Sequence, residues 1–273
     1  MGSMNNSSNV WRPRVLSILM ALFLALGSFV VAADSAKAQN DIDYSLDDDF
    51  EDIADEGSDD PYESFNRAMF TFNNFFMTYL LKPLATAYNY APEITRDGVR
   101  NALDNLDSPN NLVNDMLQGE FIRAMQIAER AVINTTVGVG GIMDVASDLG
   151  IPKHSADFGQ TLAIWGVGEG PYLVLPFFGP TNPRDAIGLG VDSVGDPLNL
   201  WARNTDREAI GYGRFGATAI DSYSRVMDDL EVIEETSIDF YAALRSLSRQ
   251  HRRHQIKYGK YEGGPPVTDA EKP

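Results

Sequence analysis

ESFNRAMFTFNNFFMTYLL, residues 63–81, decides the fold class. Phe65, Met69, Phe72 and Phe76 recur at spacings of 4, 3 and 4, the period of a helix and not of a strand. Phe70, Phe75, Met77 and Tyr79 fill other faces, so the last two turns are apolar nearly all round. A helix of that kind is buried in a core or lies in lipid. Just upstream, Asp60-Pro61-Tyr62-Glu63 supplies an N-cap residue, a proline at the first helical position and a reciprocal glutamate.

The pattern continues downstream. Pro83 and Pro92 punctuate the chain, and 92–106 reads as an amphipathic helix with Ile94, Val99, Leu103 and Leu106 inward. Ser108-Pro109 is expected to start another helix and Gly119 to stop it. Residues 120–136 form a third, with Ala124, Ile127 and Ala131 on one side. Asp157 to Trp165 makes one more, and Asn182-Pro183 and Asp196-Pro197 each place a cap before a proline. Residues 207–229 and 234–257 read as two longer helices. Only 171–178 looks extended. The expectation is one all-α domain over 60–260, followed by a flexible tail at 261–273.

Upstream of the fold, Arg12 and Arg14 precede an apolar run at 15–33 and then Ala36-Lys37-Ala38, the anatomy of a secretory signal peptide over 1–38. The alternative is an uncleaved membrane anchor. Residues 41–60 hold 11 acidic residues and no basic one, so 39–59 reads as a disordered acidic linker. The 273-residue chain carries a formal charge of −17, which argues against nucleic acid as partner. There is no cysteine, which excludes disulfides, thiolate chemistry and cysteine metal sites.

The search for chemistry is thin. Gly166-Val167-Gly168-Glu169-Gly170 is not a dinucleotide or P-loop motif: no strand precedes it and no lysine follows. Val191-Asp192-Ser193-Val194-Gly195 lacks the first glycine of a nucleophile elbow. His251 and His254 stand at i and i+3, a spacing that could hold a metal, but among Arg249, Arg252, Arg253 and Lys257 they read better as a basic helix end. Such an end could also meet anionic headgroups. No cofactor and no metal is expected. Apolar excess remains: residues 65–81 carry ten large apolar side chains among seventeen, and 172–178 carry six among seven. In an exported chain, a lipid phase reached from one side would take them.

Several words of the sequence resemble the MlaA/VacJ family of outer-membrane phospholipid-transport proteins: DPYESFNRAMFTFN (60–73), KPLATAY (82–88), NNLVNDMLQG (110–119), INTTVGVGGIMDVA (133–146) and FGQTLAIWGVGEGPYLVLPFFGPTNPRD (158–185). The resemblance implies a ring of amphipathic helices lying in one leaflet of the outer membrane around an amphipathic channel. Mislocalised phospholipids would pass through it to a soluble periplasmic carrier, beside a trimeric porin. It also implies a glycine-rich hairpin loop at the channel, here Gly166, Gly168, Gly170, Pro171 and Tyr172. Phe65, Asn66, Phe70, Phe72 and Phe76 map onto ring or lipid-facing positions, and Leu173, Leu175, Phe177 and Phe178 onto an apolar segment facing acyl chains. One departure stands out. Family members carry a cysteine after the cleavage site, whereas Gln39 stands there in this chain, so no acyl anchor is expected.

The reading is therefore a lipid conduit at the periplasmic face of the outer membrane, not an enzyme. Arg67, Lys82, Arg96 and Arg184 are its headgroup candidates, by nearness to the matched words. The alternatives are a periplasmic lipid hydrolase built on Ser193 and His154, and a structural porin-associated protein.

Overall fold

The computed structural model describes residues 60–258, without the side chain of Tyr258. The expected signal segment, acidic linker and tail lie outside the described residues.

Helix α1 (Glu63–Phe76) runs without a break through a π-helical turn (Met77–Leu81) into α2 (Lys82–Asn89). Pro83 thus lies inside a continuous helical run and does not end it. Proline has no N–H to give and crowds the carbonyl one turn back, and the wider π turn just before it absorbs that misfit. At the start, Asp60 caps by another route than expected. Its carboxylate accepts the Tyr62 N–H at 3.1 Å and its carbonyl the Glu63 N–H at 3.1 Å. Glu63 does not reach back to it; it pairs with Arg67 at 2.7 Å.

Helix α3 (Glu93–Gln118) is a single rod that passes through Ser108-Pro109, where a new start was expected. It stops at Gly119, whose φ of 79° lets the Glu120 N–H return to the Asp115 carbonyl at 2.9 Å. Helix α4 (Phe121–Thr136) follows and packs along α3 as a helical hairpin. A short α5 (Val145–Asp148) and α6 (Phe158–Ile164) come next, capped by the carboxylates of Asp144 and Asp157.

Strands β1 (Leu173–Leu175) and β2 (Gly179–Thr181) form an antiparallel hairpin with Val174 opposite Pro180. Helices α7 (Pro183–Gly195) and α8 (Pro197–Asn204) begin as expected, with Asn182 and Asp196 as side-chain caps. The long α9 (Glu208–Thr236) packs on α2, and α10 (Phe240–Tyr258) closes the described chain. Helices α6 and α7 approach at Gly159 and Gly188; a Cβ on Gly188 would stand 2.3 Å from the Gly159 nitrogen.

The packing is inverted relative to a water-soluble domain. Buried apolar side chains are mostly small: Ala85, Ala124, Ala146, Ala156, Ala186 and Ala202, with Ile127, Val174, Tyr172 and Tyr241. Asn66, Asp115, Asn114, Thr161, Arg130, Arg184 and Asp221 are buried beside them. Large apolar side chains lie outside. Ile94, expected inward, is 82% exposed, and Leu106 is exposed too. Phe121, Ile122, Met125 and Val132 on α4 join Val113, Met116 and Leu117 on α3 among the exposed residues. Exposed apolar surface on that scale marks contact with another apolar phase or a partner. No described helix is long and apolar enough to cross a membrane.

Candidate functional site: a polar cavity and the hairpin beside it

A cavity of about 810 Å³ lies among α3, α4, the 153–155 segment, α9 and α10. Its walls are polar. Asn101, Asp104, Asn105, Asp107, Ser108 and Asn111 come from one stripe of α3, at the 3–4 residue spacing that keeps side chains on one helix face. Arg130, Asn134, Asp144, Lys153, His154, Asp221 and Arg225 complete much of it, with His251, His254 and Gln255 from α10.

Ion pairs hold this wall together. Arg130 meets both oxygens of Asp144 at 2.8 Å, and Asn134 donates to the same carboxylate at 2.9 Å. Burial alone would raise the Asp144 pKa; hydrogen bonds from Ser147 and Asn134, with the Arg130 charge, hold it below the usual carboxylate value. Lys153 lies 2.8 Å from Asp104, Arg214 2.7 Å from Asp107 and Arg225 3.3 Å from Asp221. Asp107 moves the other way. Burial raises its pKa, and nearby Asp196, Asp104 and Asp192 add to that against the pull of Arg214. Behind the wall, Nε2 of His154 sits 2.7 Å from Asp115, both side chains fully buried.

A second cavity of about 380 Å³ shares His251 and Gln255 with the first. These two side chains are hydrogen-bonded to each other. The glycine segment reaches this smaller space: Glu169, Gly170 and Tyr172 line it. Arg252 stands at its edge, bonded to both oxygens of Asp157 and both of Asp185 at 2.7–2.9 Å.

The hairpin is fixed by two amides of α1. Asn66 donates to the Tyr172 carbonyl at 3.0 Å and accepts from the Val174 N–H at 2.9 Å. Two turns on, Asn73 donates to the Leu175 carbonyl at 2.8 Å and accepts from the Phe177 N–H at 2.7 Å. Side-chain amides therefore satisfy the edge of β1 as a neighbouring strand would. The asparagine pair spans the same stretch of strand because seven helical residues rise about 10 Å, as do three extended ones. Phe177 at the hairpin turn takes a left-handed φ of 68°, a strained state for a bulky side chain, held by Asn73 and by ring contacts at 5.2 Å to Phe72 and 5.0 Å to Phe76.

The structure sorts the sequence-predicted residues as follows. Gly166 and Gly170 have positive φ and Gly168 does not; the three lead into the hairpin, whose own turn is Pro176-Phe177-Phe178. Tyr172 is buried, and its hydroxyl pKa is pushed up to about 12 by that burial. Pro171, Leu173 and Leu175 are half-buried, and Phe177 and Phe178 are exposed. Phe65 and Phe72 are exposed and Phe76 half-buried.

Two expectations change. Asn66 is 0% exposed and binds the strand, so it faces no lipid. Phe70 turns inward to the rings of Phe240 and Tyr241, at 5.3 and 5.5 Å, and packs on the Tyr172–Val174–Tyr241 nucleus.

The headgroup candidates also fall elsewhere, and none is among the lining residues of the large cavity. Arg67 pairs with Glu63 and Asp239 and lies over the Tyr241 ring; Lys82 pairs with Glu231; Arg96 donates to Asn89; Arg184 is buried against Asp185. The hydroxyl of Ser193 donates to the Leu189 carbonyl of its own helix, and Nε2 of His154 faces Asp115, so the two are not arranged as nucleophile and base. No group of three or more potential metal-ligating His, Cys, Asp or Glu side chains occurs among the described residues.

The polar stripe of α3 was the signal the sequence offered and the reading missed. Comparison with known proteins places this arrangement. The family model described as MlaA lipoprotein matches residues 58–255. The chain belongs to the MlaA lipoprotein family. It is 34% identical to an uncharacterized protein of Rickettsia felis, over 89% of this chain and 96% of that one. It is 32% identical to the intermembrane phospholipid transport system lipoprotein MlaA of Escherichia coli, over 72% of this chain and 78% of that one. A solved MlaA-family structure, described as the structural basis for maintenance of bacterial outer membrane lipid asymmetry, superposes with a TM-score of 0.63 at 32% identity, covering 72% of this chain and 99% of that one. The all-α expectation with a short hairpin holds. The family description "lipoprotein" departs from the expected lack of an acyl anchor, while the 273 residues contain no cysteine thiol.

Proposed function

We propose that this chain passes mislocalised phospholipids out of the outer membrane, through the polar cavity, toward a soluble periplasmic carrier, and so maintains lipid asymmetry. The observation that carries this is the inversion of polarity. Apolar side chains cover the outside of α3 and α4, and a wall of paired charges lines the space inside. Acyl chains can wet the exterior while a headgroup occupies the interior. The names of the relatives at 32% identity support the same reading. A trimeric porin beside the exposed apolar faces fits it as well. No bond is made or broken in this scheme, so the chain acts as a conduit and not as an enzyme.

The glycine segment gives the conduit a movable edge, since Gly168 has open space around its α-carbon and Gly170 borders the smaller cavity. The test is lipid transfer from vesicles holding the full chain to acceptor vesicles. Gly168→Pro should slow transfer severalfold while the circular dichroism spectrum stays that of the wild type. No transfer by the wild-type chain would overturn the conduit, and normal transfer by Gly168→Pro would overturn the movable edge.

A further inference from the structure

We propose that the large cavity favours phospholipids whose headgroup joins a phosphate to a primary ammonium over lipids whose headgroup is anionic alone. This rests on the lipid-passage reading above.

A pocket built to hold any phosphate would show an excess of cations. This wall alternates in sign instead. Asp104 pairs with Lys153, Asp107 with Arg214 and Asp221 with Arg225, at 2.8, 2.7 and 3.3 Å. The most exposed members carry both signs: Asp104 is 45%, Asp107 42% and Arg225 43% exposed. All three line the cavity. A zwitterionic headgroup can enter such a wall pair for pair. Its phosphate takes a cation from a carboxylate, and its ammonium takes the carboxylate left behind. No charge is stranded, which matters because a charge left without its partner is disfavoured even where water reaches it in part. An anionic headgroup takes the cation and leaves the carboxylate unanswered.

Asp104 and Asp107 stand at i and i+3 on α3, so their carboxylates share one face. Burial, with Asp196, Asp104 and Asp192 nearby, raises the Asp107 pKa against the pull of Arg214, and an added ammonium would favour its charged form. A primary ammonium also supplies N–H donors to these oxygens, which a quaternary one cannot.

The full chain is equilibrated in detergent micelles holding equal amounts of phosphatidylethanolamine, phosphatidylcholine and phosphatidylglycerol, and the retained lipid is quantified by mass spectrometry. Phosphatidylethanolamine should exceed phosphatidylglycerol about fivefold, the factor one additional screened ion pair gives, with phosphatidylcholine between them. Asp104→Asn combined with Asp107→Asn should bring the ratio near unity without lowering phosphatidylglycerol. Folding should survive, because Arg214 keeps Asp196 at 2.6 Å; Asp104→Glu, which keeps the charge, should keep the preference. Lys153→Ala should lower both lipids alike, because both carry phosphate. Equal retention of the two lipids by the wild-type chain, or a preference that survives the double substitution, overturns the selection while leaving lipid passage standing. Retention of no lipid at all overturns passage and selection together.

Discussion

The hairpin side of the molecule and the cavity side are held by opposite means. Around the hairpin, Tyr172, Val174 and Tyr241 form an apolar nucleus with Met69 and Phe70 packed on it. Around the cavity, the buried side chains are mostly polar, Ser108, Asn111, Arg130, Asn134, His154 and Asp221, with Ile127 among them. The first region is a small conventional core. The second keeps apolar side chains outside and holds its polar interior together with ion pairs such as Arg130–Asp144 and Lys153–Asp104. The difference teaches that the cavity side is shaped by an apolar surrounding phase, because in water the same stripe of α3 would turn outward.

If that division is right, the largest single loss should come from the clamp where the two sides meet. Arg252→Ala leaves Asp157 and Asp185 facing each other without their shared cation. Arg252 is 18% exposed, so the expected cost is about 3 kcal/mol, the low end for removing one partner of a buried ion pair. The thermal unfolding midpoint in detergent measures it. Acid should act on the same contacts. Burial alone would raise the Asp185 pKa, but hydrogen bonds and charge from Arg252 and Arg184 hold it low, and Asp144 is held low as well. A carboxyl depressed in the folded state adds stability above its unfolded value, near 4, and that stability disappears as pH falls through the folded value. Acidification below about pH 4 should therefore loosen the cavity side first. Hydrogen exchange at the amides of Val174 and Phe177 should lag behind that of α4 and α5, which Arg130 and Asp144 tie together. Simultaneous loss on both sides would break the comparison.

The hairpin side has its own test. Asn66→Ala strands the Tyr172 carbonyl and the Val174 N–H, and Val174 is fully buried. Two orphaned groups at about 1–3 kcal/mol each, partly recovered by relaxation, give an expected loss of about 2–3 kcal/mol. Asn73→Ala should cost less, since its strand partners include exposed Phe177 near the turn. Equal costs would mean that the two amides do not form a graded ladder.

The sequence made the helices legible because caps and periodicity are local. Asn182 and Asp196 read correctly, as did the stop at Gly119, since each signal acts within a few residues. Pro83 and Pro109 misled because a π turn and a long packed rod overrode a local preference. The orientation of α3 misled for a deeper reason. Periodicity shows that a helix has two faces; it does not say which one meets the interior. The rule that apolar residues point inward presumes water outside, and Ile94 and Leu106 break it. The cavity was therefore hidden in plain residues, Asp104, Asp107, Ser108 and Asn111, whose polar character alone gives no sign of an enclosed space. The roles of Asn66 and Asn73 were illegible because their partners lie more than a hundred positions away.

The glycine segment joins the two regions, and its residues should separate by the smallest of these effects. Gly170 has a φ of +70°, and an added Cβ would stand 3.2 Å from Cγ of Pro183. The left-handed state costs a side chain about 1 kcal/mol or slightly more, and the proline ring has little freedom to yield. Gly168 lies outside that region of φ, and a Cβ there meets nothing within 4 Å. Gly170→Ala should thus lower stability by about 1 kcal/mol, whereas Gly168→Ala should leave it unchanged or raise it by about half that, through a less flexible unfolded chain. Thermal melts of the two variants distinguish them. Equal losses would show that both glycines serve one rigid turn. Unequal losses assign Gly170 to anchoring the segment against α7 and leave Gly168 as its free position, which is the division a movable edge beside a fixed hairpin requires.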